Sequence, residues 1–378
     1  MAAGLYIHVP FCLKKCHYCD FISYPYREKE AGIYLNAVIK EMELVSASLS
    51  PDAKEVETIY LGGGTPTCLP APALAAILKN CRRYFFVSPG AEITVEANPG
   101  TVDGPKLTAL REAGVNRLSL GVQAAQDRLL KVLGRAHTFA QAKDAVRLAR
   151  EAGFTNLNAD LIFGLPGQTP ADWADSLQKI LDLRPQHISA YGLQLEADTP
   201  LGRAVQAGEA RLPGEDTELV MFEQAIEILT AAGFVHYEIS NFALPGAQCR
   251  HNLRYWRNLP YLGLGPAAHS FDGSSRTSNE TSLAKYAARV EAGELPVAGR
   301  EKLTRQTLIA ETVFLGLRLR EGLDLKAFAG RFGQPVEAVF PAEIKRLLQL
   351  NLLEIENNFL RLTPKGLPVA NQAFASFV

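Results

Sequence analysis

The chain has 378 residues, 47% of them hydrophobic, and a formal net charge of −1. That supplies core material for one large domain and a smaller one and excludes a strongly basic field for nucleic acid. No apolar run nears the roughly 20 residues that span a bilayer, and the start Met-Ala-Ala-Gly-Leu-Tyr-Ile-His has no cationic segment ahead of an apolar one, so a cytoplasmic protein is expected, with peripheral membrane contact still compatible.

The first strand-like segment, 5–9, runs into a loop holding Cys12, Cys16 and Cys19. The spacing is Cys-x3-Cys-x2-Cys. Three thiolates can hold three irons of a four-iron, four-sulfur cluster and leave the fourth iron open. Zinc would want a fourth ligand, which His17 could offer only from inside the tight loop. Buried structural thiols are the bland alternative. Cys68, Cys81 and Cys249 are scattered and complete no disulfide framework, so a reducing compartment is expected.

Further strands are expected at 58–61, 93–96, 117–122, 157–163 and 188–195: short, apolar, with Gly or Pro close behind. Helical periodicity fills the gaps, most clearly at 140–152, which stops at Gly153 as a helix with a glycine C-cap should. Six strand–helix repeats predict an α/β fold with a parallel sheet. Such folds put their sites at the carboxyl ends of the strands. There this chain places Gly62-Gly63-Gly64-Thr65-Pro66-Thr67, Glu96, Gln123, Asp160 and Gln194.

The triple glycine can bring backbone close to a ligand and is neither a phosphate loop nor a dinucleotide fingerprint. Glu96 can meet an ammonium or a ribose hydroxyl. Arg135 can grip a carboxylate through two N–H groups. Asp160 can accept from sugar hydroxyls. Each alone is more often a solvated or core polar residue; their shared position at strand ends argues for a site.

From 246 to 302 the chain is richer in Gly, Pro, Asn and Ser and reads as a long loop region connecting a core of 1–245 to a helical domain of 303–378. It carries His251-Asn252-Leu253-Arg254-Tyr255-Trp256. Histidine is a common axial ligand to haem iron, and the two aromatics offer flat surface with polar handles. The bland reading is a core histidine bonded to backbone. Cys249 and His269 rank behind His251 as iron ligands. Beyond 303, helices are expected at 303–319, 324–332, 336–350 and 364–374, with a hairpin of 353–356 and 359–362 turning at Asn357-Asn358.

Together, the cysteine triad, Gly-Gly-Gly-Thr-Pro-Thr, the Glu96 strand, Gly-Val-Gln and Asp-Leu-Ile-Phe-Gly-Leu-Pro-Gly resemble the radical S-adenosylmethionine (SAM) superfamily, in its coproporphyrinogen dehydrogenase-like branch. The resemblance runs from Tyr6 to the end of the chain. It implies a partial (β/α)6 barrel with a smaller C-terminal helical, winged-helix-like domain. It implies a [4Fe-4S] cluster whose open iron takes the methionine end of SAM, contacted by Tyr6, Gly63 and Glu96. Gly64, Thr65, Gln123, Arg135 and Asp160 match positions assigned to a second SAM. The family's chemistry is reductive cleavage of SAM to methionine and a 5′-deoxyadenosyl radical.

Two departures choose a subgroup. The dehydrogenases resemble Cys-x3-Cys-x2-Cys-x-Cys and carry a longer amino terminus; here Phe21 stands at the last cysteine's place. His-Asn-x-x-Tyr-Trp resembles the signature of the HemW-type haem chaperones, where the histidine is tied to haem. The expectation is a haem chaperone that delivers haem to haem-dependent respiratory proteins, with cluster-dependent dimerisation and no residue assigned as catalytic. Its rivals are an oxygen-independent coproporphyrinogen III dehydrogenase and a radical SAM enzyme acting on RNA.

Overall fold

The computed structural model describes residues 3–378. Its centre is six parallel strands in chain order: β1 (Ala3–Val9), β2 (Glu55–Gly63), β3 (Phe86–Ala97), β4 (Arg117–Gln123), β5 (Leu157–Phe163) and β6 (His187–Gly192). Each pairs in parallel with the next. Helices cross between them and bury one face against the sheet. Strands such as Arg117–Gln123 are buried along their whole length, with the polar Arg117, Ser119 and Gln123 enclosed among the apolar residues.

Local chemistry sets the helix ends. Thr138 and Thr169 open helices Phe139–Glu151 and Pro170–Leu181 with reciprocal capping boxes to Gln141 and Asp172. The first of these stops before Gly153, whose φ of +86° only glycine adopts without strain.

The segment 246–302, expected as loop, is instead structured and widens the sheet. Ahead of that segment, β7 (Val235–Glu238) and β8 (Asn241–Ala243) already form an antiparallel pair beside β6. On the opposite edge β9 (Tyr261–Leu264) lies parallel to β1, followed by an antiparallel meander of β10 (His269–Phe271), β11 (Ser275–Asn279) and β12 (Val297–Lys302). The order is β12-β11-β10-β9-β1-β2-β3-β4-β5-β6-β8-β7. These strands escape a periodicity reading because they are short, half-exposed and polar, as in Ser-Arg-Thr-Ser-Asn. The glycines there mark hairpin turns: Gly265 and Gly273 both have positive φ.

The C-terminal unit has its own core, built on Val313, Phe328, Leu347, Leu353 and Leu360. Helices Arg305–Gly316, Leu325–Phe332, Val336–Val339 and Pro341–Gln349 pack on a sheet of β13 (Leu323–Asp324), β14 (Leu353–Glu356) and β15 (Phe359–Leu362). Asn357 and Asn358 turn the hairpin with φ of 49° and 69°, as a two-residue type I′ loop requires. The last helix is Ala370–Ala375, shorter than expected because Pro364, Gly366 and Pro368 hold the preceding residues in turns. Among the described residues no helix is long and apolar enough to cross a membrane.

Candidate functional site

The carboxyl ends of the strands surround a cavity of about 730 Å³. Tyr6, Cys12, Cys16, Cys19, Gly63, Gly64, Thr65, Glu96, Gln123, Arg135, Asp160 and His251 all line it. Cys249 and His269 do not. Cys249 is buried with its thiol near Glu92 Oε1 at 3.6 Å, and His269 is exposed on β10.

The cysteine loop leaves the end of β1. Phe11–Cys12 pairs with Tyr24–Pro25 and closes the loop at its base. The Thr65 N–H donates to Phe11 O at 2.7 Å and the Gly64 N–H to Val9 O at 2.9 Å, so the glycine turn braces the same base. A Cβ on Gly64 would lie 2.6 Å from Phe11 O, and one on Gly63 would lie 2.5 Å from the His8 ring. The triple glycine therefore lets two protein segments approach each other as well as the cavity.

All three thiols are free and half-buried. Burial pushes Cys12 and Cys19 up from the usual thiol range. The Arg135 guanidinium donates to Cys16 Sγ at 3.4 Å, to Gly121 O at 2.7 Å and to Asn98 Oδ1; its Nε is buried with no partner. His17 is turned to the other side of the loop, where its Nδ1 donates to Val132 O at 3.1 Å. Among the described residues no three His, Cys, Asp or Glu side chains converge on a single metal ion, as a mononuclear zinc site would need.

Glu96 is held by the Tyr60 hydroxyl at 2.8 Å and the Gly63 N–H at 3.2 Å. Burial pushes its carboxyl up to about 7. Tyr6 donates to His8 Nδ1 at 3.1 Å, because His8 Nε2 is committed as donor to Ile22 O. Asp160 accepts from Asn158 Nδ2 at 2.7 Å and Ser119 Oγ at 3.1 Å, and burial raises it too. Gln123 ends β4 in a left-handed conformation, φ 71°, at a register shift against β5.

His251 sits in helix Arg250–Trp256 and is 1% exposed. Its Nδ1 meets Thr58 Oγ1 and its Nε2 meets the Tyr255 hydroxyl, both at 2.8 Å, while its ring stacks on Tyr60 at 5.2 Å. Burial and the charge of Arg254 push the imidazole down to about 3, so it is neutral. The helix start is fixed by Glu92, which accepts from the N–H groups of Arg250 and His251 at 3.0 Å each.

The site also uses residues the motifs do not flag. Asn98 bridges Thr65, at 2.8 Å, to Arg135. It lies two positions after Glu96, just past the end of β3, and that spacing of two was its signal. Tyr60, Ser119 and Asn158 hold the carboxylates. Arg318 enters from the C-terminal unit, with no local signal at all.

The model of the radical SAM superfamily matches residues 6–180, and that of the HemN C-terminal domain matches residues 303–369. Heme chaperone HemW of Bacillus subtilis is 37% identical over 374 residues, 99% of this chain and 98% of the relative. Heme chaperone HemW of Escherichia coli is 41% identical over 267 residues, 70% of this chain and 69% of the relative. The chain belongs to the HemW family, within the radical SAM superfamily. The solved structure of coproporphyrinogen III oxidase (HemN) from Escherichia coli, a radical SAM enzyme, superimposes with a TM-score of 0.87 at 27% identity, covering 100% of this chain and 90% of that one. This chain thus shares the HemN fold, including the C-terminal unit.

Membership of the superfamily implies a [4Fe-4S] cluster and SAM. The donor set here fits them. Three free thiols open on one cavity, a guanidinium with an unsatisfied N–H stands beside them, and a clamped carboxylate lies across from them. Of the other cysteines, Cys81 and Cys249 are buried and Cys68 lines a separate cleft.

Proposed function

We propose that this chain is a haem chaperone. It holds a [4Fe-4S] cluster on Cys12, Cys16 and Cys19, takes SAM at the open iron, binds haem, and delivers haem to haem-dependent respiratory proteins in the cytoplasm. The observation that carries this reading is a shared cavity: the cysteine loop and the His251–Trp256 helix face the same space.

The cluster supplies an electron-transfer centre with one open coordination position. The protein's own residues do the rest. Glu96, oriented by Tyr60 and Gly63, takes the ammonium of SAM. Arg135 offsets thiolate charge through Cys16, and Asp160 meets ribose hydroxyls. Gly64, Thr65 and Gln123 shape the wall beside them. His251 is neutral, as an iron ligand must be. In the tautomer whose Nδ1–H donates to Thr58, Nε2 accepts from Tyr255 and carries the lone pair a metal needs. Ligation therefore exchanges one hydrogen bond and leaves the tautomer as it is.

Phe21 supports the chaperone over the dehydrogenase. It stands where the resemblance puts an extra cysteine in the dehydrogenases, and it is 62% exposed at the cavity. The likeness to HemN keeps oxidative decarboxylation of coproporphyrinogen III as the second reading. Two assays decide. Anaerobically reconstituted protein is titrated with haem, followed by transfer to a haem-free acceptor; a Soret band that forms and then moves to the acceptor is expected, and its absence sinks the chaperone. His251→Ala should weaken haem at least about 10-fold. Carbon dioxide released from coproporphyrinogen III with SAM and reductant would favour the dehydrogenase.

A further inference from the structure

Arg318 is the part of the cavity wall that neither the cluster nor SAM accounts for. It belongs to the C-terminal unit but is stitched to the barrel edge. Ile239 N–H donates to Arg318 O at 3.2 Å, Arg320 N–H donates to Tyr237 O at 3.0 Å, and Glu238 bridges Leu319 between them. Its side chain is fixed from two directions. Nη2 donates to the fully buried Glu238 carboxylate at 3.3 Å, and Cζ lies 4.3 Å over the Trp256 ring.

That arrangement leaves donors over. Arg318 Nε is buried with no partner, and so is the neighbouring Trp256 Nε1. Nη1 makes no hydrogen bond among the described residues. Unmade buried donors are costly. An anionic acceptor in the cavity would satisfy them. Asn241 Oδ1 is also unpartnered, but the Asn241 amide donates to Glu238, which puts it on the Glu238 side of the arginine.

The other cations lining the cavity stand elsewhere. Lys14 and Lys15 belong to the cysteine loop, and Arg135, although its Nε is also unpartnered, is anchored beside the cysteines by Cys16, Asn98 and Gly121. Arg318 instead adjoins Trp256, the residue after Tyr255, whose hydroxyl meets His251 Nε2. His251, Trp256 and Arg318 line the same cavity, and the guanidinium lies directly over the indole. A cyclic tetrapyrrole with carboxylate arms presents a metal, a flat apolar face and anions to match.

We propose that Arg318, backed by Glu238 and Trp256, binds a carboxylate arm of the tetrapyrrole; this rests on the haem reading above. The test titrates the cluster-loaded full chain with haem and with haem dimethyl ester, whose carboxylates are blocked. Wild type should prefer haem by about 10-fold or more. Arg318→Met should lose about 10-fold for haem and nothing for the ester, and Arg318→Lys should recover part of the loss. The double variant Arg318→Met, Glu238→Leu avoids stranding a buried carboxylate and should behave like the single one. SAM affinity should stay unchanged in every variant. Equal binding of haem and ester by wild type overturns the proposal without any variant having to fold. So does an Arg318→Met loss that is the same for both ligands, or one that falls on SAM instead, which would assign the arginine to the SAM carboxylate. Wild type that binds neither haem nor its ester removes the chaperone reading itself.

Discussion

The cysteine end and the His251 end of the cavity are built on opposite principles. At the cysteine end, three half-buried thiols outside any disulfide make only long contacts, such as Cys12 Sγ to Thr65 Oγ1 at 3.7 Å and Arg135 to Cys16 Sγ at 3.4 Å, and the Nε of Arg135 has no partner. At the other, His251 is buried, both ring nitrogens are hydrogen-bonded and its helix start is capped by Glu92. The first end is preorganised for a ligand and gives up only these long sulfur contacts when one arrives. The second is closed, and a ligand must break a bond to enter. Local origin explains the contrast: the thiols ride on a loop outside every core cluster, whereas the histidine is packed between β2 and Tyr255.

The largest effect should come from the open end. Replacing Cys12, Cys16 and Cys19 together with serine should abolish cluster iron and inorganic sulfide after reconstitution, and SAM affinity with them. Because the thiols lie outside the core clusters, the cluster-free variant should melt close to cluster-free wild type, within about 1 kcal/mol. A variant that retains iron would show that other cysteines supply ligands, and the contrast between the ends would lose its basis.

Glu96 tests the open end at the level of one proton. Its carboxyl is raised by burial to about 7, while the unfolded chain titrates near its ordinary value of about 4.5. A raised folded value means a contribution to stability that is full below about 4.5 and lost as pH rises through about 7. Glu96→Gln should therefore gain on wild type across that window, by up to roughly 3 kcal/mol. An ammonium ligand favours the ionised form. SAM affinity of wild type should rise between pH 6 and 8, while the glutamine variant should bind about 10- to 100-fold more weakly with a flat profile. Parallel pH profiles for the two proteins would remove Glu96 as the ammonium partner. Haem affinity should not change in either case.

How much of this was readable beforehand follows the same divide. β1 to β6 are legible because strands buried on both faces are mostly apolar, and Gly153 is legible because a helix end needs a left-handed residue. Glu96, Gln123 and Asp160 are legible as polar residues where apolar strands stop. β9 to β12 are not, since short half-exposed strands need no apolar pattern. The partners of His251 are equally invisible: Thr58 and Glu92 lie far upstream in the chain, and only the fold brings them near. Arg318 arrives through backbone bonds between two units, which no local pattern encodes.

The smallest expected effect bears most directly on the closed end. With His251 in the tautomer whose Nδ1–H donates to Thr58, the Tyr255 hydroxyl donates to Nε2 at 2.8 Å. Tyr255→Phe removes that donor while keeping the ring that packs at right angles on Tyr261. The haem-free state then carries a buried, unsatisfied nitrogen and should lose on the order of 1 kcal/mol of stability. If iron takes Nε2, the haem-bound state loses nothing, because the hydroxyl has already left that nitrogen. The difference appears as tighter haem binding, by about 5- to 10-fold. A weaker Soret titration in the variant would mean that Tyr255 itself touches iron or haem. Unchanged affinity together with the stability loss would mean that Nε2 keeps its place in the core when haem binds, and that the iron ligand lies elsewhere on the wall. The sign of one small change thus separates a closed site that opens from a histidine that only packs.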